Sequence, residues 1–140
     1  TMLALIAPIK ARLQVLAPLA GWDLRSEDID APRSALPAVD VRCSGAVAQD
    51  SESVAVTLDP AYTVTLAVRR GPQAAAELEA ALSAVIGSLH NWRPGGQGGV
   101  QWRRIALQVV RPPEFVDAGA VACELTFASS AVYHGAKTGA

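Results

Sequence analysis

Apolar side chains at Met2, Ile6, Ile9, Leu13 and Leu16 recur at intervals of three and four, with Lys10, Arg12 and Gln14 between them. That period predicts an amphipathic first helix. Pro8 falls near its first turns, where a missing N–H is tolerated, and Pro18 with Gly21 ends it. Ser26 to Ser34 is acidic and rich in turn residues, so it reads as a loop. From Ala38 the period changes to two: Val39, Val41 and Cys43 alternate with Asp40, Arg42 and Ser44, as in a half-buried strand. "VAQDSESV" (Val47 to Val54) is polar and acidic at its centre and predicts a hairpin tip or loop.

The alternation returns in "VAVTLDPAYTVTLAVRR", where Tyr62, Val64, Leu66 and Val68 share one face and Thr63, Thr65 and Ala67 the other. β-Branched residues at period two make this the clearest strand. Asp59-Pro60 predicts a bulge or an edge within it. Gly71-Pro72 then opens a second helix, with Pro at the first helical position. Its predicted stripe is Leu78, Leu82, Val85 and Leu89, supported by Ala75, Ala81 and Ile86, while Glu77 and Glu79 suit the early turns. Trp102 to Val110 and Val121 to Ala128 read as strands, the second with Val121, Cys123, Leu125 and Phe127 inward. "PPEFVDAGA" reads as the connection between them, and the tail "HGAKTGA" as frayed.

The order helix, strand, strand, helix, strand, strand predicts an α+β fold. The expected form is a mostly antiparallel sheet with two main helices packed on one face, a single-domain sandwich over residues 1–140. There is no internal repeat and no domain linker. At 140 residues one domain with a real core is expected. An apolar fraction of 51% against 18% charged residues excludes a wholly disordered chain. Much of that fraction is alanine and only 5% of residues are aromatic. Both a thin core with apolar surface kept for partner subunits and a plain alanine bias fit.

A net charge of −1 argues against a nucleic-acid binder driven by counterion release. Among the 12 basic residues only Lys10 and Lys137 are lysines, and arginine's planar fork suits ion pairs at interfaces. Cys43 and Cys123 sit in alternating runs, as small buried hydrophobes do; their pairing is left open, and two thiols without a nearby histidine do not make a zinc site. No run reaches the ~18 apolar residues of a membrane span. The opening segment lacks a signal peptide's basic start, and Lys10 and Arg12 interrupt it. A reducing cytoplasm is the default.

Candidate chemistry is sparse. "RPGGQGG" follows a helix and precedes a strand, whereas a phosphate loop needs strand, glycines and then a helix N-terminus. It reads as a connection. His90, with Asn91, fits a helix C-terminus, where a cationic imidazole would favour the dipole. Neither His90 nor His134 lies in a nucleophile motif, so no catalytic residue, cofactor or metal is expected. The acidic clusters Glu27, Asp28, Asp30 and Asp50, Glu52 lack calcium-loop spacing and read as solvated loops. What remains is interaction chemistry: the pairs Arg69-Arg70 and Arg103-Arg104, and Trp22, Trp92 and Trp102. Arg and Trp are favoured at interface hot spots, but for each residue taken singly a tryptophan closing the core or a solvated arginine is the better account. Together with Glu27, Asp28, Asp50 and Glu52, the arginine pairs form candidate edges for a contact between unlike patches of one chain.

The first helix, "ALPAVDV", "YTVTLAVRR", "AAAELEAALSAVIGSL", "LHNWRP" and "ACELTF", in this order, resemble the tail terminator proteins of long-tailed bacteriophages, the Mu-like and lambda-like group. The likeness spans nearly the whole chain. It implies an α+β domain that forms a ring, a hexamer in the family, at the head-proximal end of the tail tube. Such a ring is a homo-oligomer that stops tube polymerisation and offers a surface for head joining. Its partners would be the tail tube protein and a head-completion or connector protein, with DNA passing through the lumen but no sequence-specific reading of it and no membrane. It would be assembled in the bacterial cytoplasm and reside in the virion, with no enzyme activity. A different neck, head-closure or minor tail protein, or a small-ligand-binding α+β domain, would share the composition.

Overall fold

The computed structural model describes residues 2–26, 36–49, 55–97, 99–117 and 119–134. A 3-10 turn over Met2–Leu5 runs into helix α1, Ile6–Gln14, with Pro8 in its first turn. Leu5, Ile6, Ile9 and Leu13 are buried, as their spacing predicts, while Leu16 lies beyond the helix and is half-buried. Pro18 sits in a second 3-10 turn, Ala17–Leu19. Then follow strands β1 (Asp23–Arg25), β2 (Ala38–Gln49) and β3 (Ala55–Arg69), and helix α2 (Ala74–Leu89). Strands β4 (Gly95–Gln97), β5 (Val100–Trp102), β6 (Ala106–Val110), β7 (Glu114–Asp117), β8 (Ala120–Ala128) and β9 (Ala131–His134) complete the described chain. The fold is α+β, with a mixed and strongly curled nine-stranded sheet.

β3 is the spine of that sheet. It pairs antiparallel with β2 along one edge, and β1 adds to β2 in parallel. Its other edge is divided: Ala61–Arg69 pair with β8, and Ala55–Leu58 with β9. β8 goes on to β6 and β7, and β9 to β5 and β4. Pro60 stands where the sheet forks. Its carbonyl accepts the Ser129 N–H at 3.2 Å, so its missing donor falls where no ladder partner is waiting. The strand therefore runs straight through Asp59-Pro60. The expected bulge lies across from it, on β2 between Cys43 and Gly45, where Gly45 adopts φ +124°.

Register shows how the core is built. Val39, Leu66 and Cys123 are paired across three strands, as are Val41, Val64 and Leu125; Tyr62 pairs with Phe127. All eight are buried, and they join the buried residues of both helices in one cluster. The buried stripe of α2 is Ala74, Leu78, Ala81, Val85 and Leu89. Leu82 and Ile86 flank it half-buried and Ala75 is exposed, so the true stripe is rotated slightly from the expected one. Ala81 occupies the central position because a small side chain lets the helix backbone approach the sheet. On the other face Ala38, Asp40, Thr63 and Ala67 are buried as well. The sheet is not simply half-buried there.

Four expectations for the second half need correction. Trp102–Val110 is not one strand: Arg103–Ile105 separates β5 from β6. Ile105 instead exchanges two 2.7 Å bonds with the turn after α2, accepting from Asn91 N–H and donating to the Trp92 carbonyl. The expected connection at residues 112–120 contains β7, paired with β8 through Glu114–Ala122 and Phe115–Val121. Pro112 and Pro113 break only a sheet edge, where a missing N–H costs little. The glycine-rich loop is itself the β4–β5 hairpin, with Gly95 and Gly99 at positive φ. α2 begins at Ala74, after a turn that contains Pro72, so Pro72 is not the first helical residue. β1 and β9 were not expected at all.

Candidate interaction surfaces

The turn after α2 is a tied junction. Asn91 takes φ +68°, the left-handed conformation that asparagine tolerates better than most residues. His90 ends the helix by donating its own N–H to the Ile86 carbonyl. Its imidazole does not act as a cationic cap: Nδ1 accepts the Leu107 N–H at 3.0 Å, which needs a free lone pair on that nitrogen. The cation at this helix end is Arg12, from α1. Its guanidinium donates twice to the Ser88 carbonyl, at 2.8 and 3.2 Å, and lies 4.6 Å over the Trp92 ring. One arginine thereby satisfies a last-turn carbonyl and binds the two helices together.

The other tryptophans also serve the fold. Trp102 is buried, donates Nε1–H to the Gln97 carbonyl at 3.0 Å and meets Tyr133 edge-on at 6.3 Å. Trp22 is half-buried beside Lys10 and Gly21, lining a cavity of about 680 Å³. Cys43 and Cys123 are both free thiols. Cys123 is buried and donates to the Arg111 carbonyl; desolvation first, then Glu124 and Glu79, pushes its pKa up. Burial likewise raises the Tyr62 hydroxyl, which donates to the Met2 carbonyl, and the Tyr133 hydroxyl. Among the described residues, no three His, Cys, Asp or Glu side chains come together as a metal site would need.

The four candidate arginines are exposed. Arg69 ends β3 opposite Ala120, and the Arg70 guanidinium stacks 4.1 Å over Phe115. Arg104 donates to the Asn91 side chain at 2.7 Å, and the Arg103 N–H donates to the Ser130 carbonyl. The two pairs thus lie at opposite ends of β8, roughly 30 Å apart along the strand. They are two surfaces, not one. Glu27, Asp28, Asp50 and Glu52 lie outside the described residues.

Sequence reasoning allowed for apolar surface but did not locate it. Val15, Val47 and Phe115 are 81%, 69% and 68% exposed. A groove of about 410 Å³ runs between α2 (Leu78, Leu82) and Val110–Pro113, and an adjoining hollow of about 390 Å³ extends it to Arg70 and Phe115. The signal was present in "VVRPPEF", whose prolines break the edge while its apolar side chains stay outside.

No family model matches the chain, and no curated protein matches it by sequence. Solved structures do. A chain from the virion of a native gene transfer agent particle superimposes with a TM-score of 0.69 at 18% identity, covering 93% of this chain and 96% of that one. The two chains share a fold over nearly their whole described lengths. A second solved chain, whose name conveys no function, matches with a TM-score of 0.61 at 12% identity, over 97% and 95% of the two chains.

Proposed function

We propose that the protein is a structural virion subunit, a tail terminator that forms a ring, a hexamer by family likeness, on the head-proximal end of a tail tube. The fold likeness to a virion chain, over 93% of this chain and 96% of that one, carries the reading. The resemblance of the ordered landmarks from "ALPAVDV" to "ACELTF" supports it independently. In this reading the two helices back one face of the sheet, and the edges and strand ends are left to meet neighbouring subunits, the tube and the head. The subunit carries no catalytic residue and no cofactor.

A ring of one subunit type needs two unlike patches that fit each other. Its charges set register, while buried apolar area supplies most of the affinity. The test is complementation of a tailed phage or particle system lacking the corresponding gene. The terminator reading expects tails of uniform length joined to heads when the protein is supplied, and overlong, headless tubes without it. Normal tails on headless particles would instead favour a head-closure role.

A further inference from the structure

We infer that the groove between α2 and Val110–Phe115 receives the β2–β3 arm of a second copy of this chain. The inference rests on the ring reading and names its contact. The two features sit at opposite ends of β3. Val47 is paired with Asp59 in the arm, while Arg70, at the mouth of the groove, directly follows the other end of the strand. Asp59 and Arg70 are eleven residue steps apart along the strand, roughly 35 Å. An arm cannot fold back onto its own groove over that distance. It can enter a neighbour's, and contacts of that head-to-tail kind generate rings.

The chemistry of the two surfaces is complementary. The arm presents Val47, 69% exposed, with Ala46, Ala48 and Gln49 exposed around it. From Cys43 to Val68 the chain has no Lys or Arg, but it has Asp50, Glu52 and Asp59. The groove offers Leu78, Leu82, Val110 and Phe115 as an apolar floor and wall. Its Arg70 mouth is cationic: among the described residues neither Arg69 nor Arg70 is paired with a carboxylate, whereas Arg111 further along is held 3.8 Å from Glu124. An exposed apolar segment within a stretch of negative charge matches an apolar groove with Arg70 at one mouth. The Arg103-Arg104 pair, at the far end of β8, takes no part in this contact.

Two variants on exposed positions test it. Ala75→Trp fills the groove and Val47→Lys disables the arm. Circular dichroism and melting confirm that each is folded, and sedimentation velocity over a concentration series reads association. The wild type is expected to associate beyond a dimer, and each variant to associate about tenfold or more weakly. Mixed one to one, the intact arm of Ala75→Trp enters the intact groove of Val47→Lys, and assembly stops at a heterodimer. Either variant assembling like wild type, a mixture that stays monomeric, or a wild type that never associates overturns the contact. Tail length and head joining in complementation are scored separately. Wild-type protein that controls tail length while these variants assemble normally leaves the ring reading standing and removes only this pairing.

Discussion

The Nδ1 atom of His90 accepts the backbone N–H of Leu107 at 3.0 Å, linking the end of α2 to the edge strand β6. This bond is structural, so its loss should appear in stability and not in assembly. His90→Gln is expected to cost about 0.5–1 kcal/mol in urea denaturation, a typical net hydrogen bond. Together with His134→Gln it should leave tail assembly intact in complementation. A loss of a hundredfold with the fold preserved would assign the histidines a ligand-binding or chemical role.

Leu89 and Val85 are fully buried, and Leu82 is not. Leu89→Ala should therefore cost about 2–5 kcal/mol, and Leu82→Ala about half as much, since less of its surface leaves water on folding. Equal costs in urea denaturation would mean that the helix face is assigned wrongly.

Arg12→Ala removes two charged hydrogen bonds to the Ser88 carbonyl and the stacking on Trp92. A loss of about 1.5–3 kcal/mol is expected in thermal or urea unfolding. Arg12→Lys should recover little of it, because an ammonium cannot supply both donors and a planar stacking surface. Full recovery by lysine would reduce the contact to simple charge.

Burial raises the hydroxyl pKa of Tyr62 above its ordinary value of 10.0, and desolvation does the same for Tyr133 and for the Cys123 thiol, ordinarily 9.0. In the unfolded chain each group releases its proton at the ordinary value, while the folded chain keeps it. Stability from these groups is complete below about pH 9 and falls as pH rises past 9 to 10. Tyr62→Phe should flatten the decline above pH 10 while costing about 1 kcal/mol at neutral pH, where its bond to the Met2 carbonyl is lost. An unchanged alkaline slope in that variant would remove Tyr62 as a source.

The elements legible in the sequence are those whose own side chains decide them. β3 shows period two because one face of each alternating residue meets the helices, and α2 shows its stripe for the same reason. Neither needs a distant partner to be recognised. The break at Arg103–Ile105 is different: it is made by bonds from Asn91 and Trp92, which local alternation cannot reveal. β7 was hidden by Pro112-Pro113, which signal a loop unless the edge position of the strand is already known. β1 and β9, three and four residues long, are too short to show a period. The arginine pairs were found by adjacency, but their separation to the two ends of β8 is a product of topology. The groove joins residues from about 75 to 123, so no window along the chain contains it.

Pro60 has one more consequence. Because β3 changes partner there, one edge of the strand is divided while β2 runs along the other: Ala61–Arg69 are locked between β2 and β8, and Ala55–Leu58 have β9 on that side, which touches β5 at a single registered pair, Trp102–Ala131. The β4–β5–β9 lobe can open without unzipping the central ladder. Native-state hydrogen exchange should divide at the proline, with slow amides through Thr63–Val68 that open only on global unfolding and faster, sub-globally opening amides in β9 and its partners. A subunit built this way can remodel one end while the other stays folded.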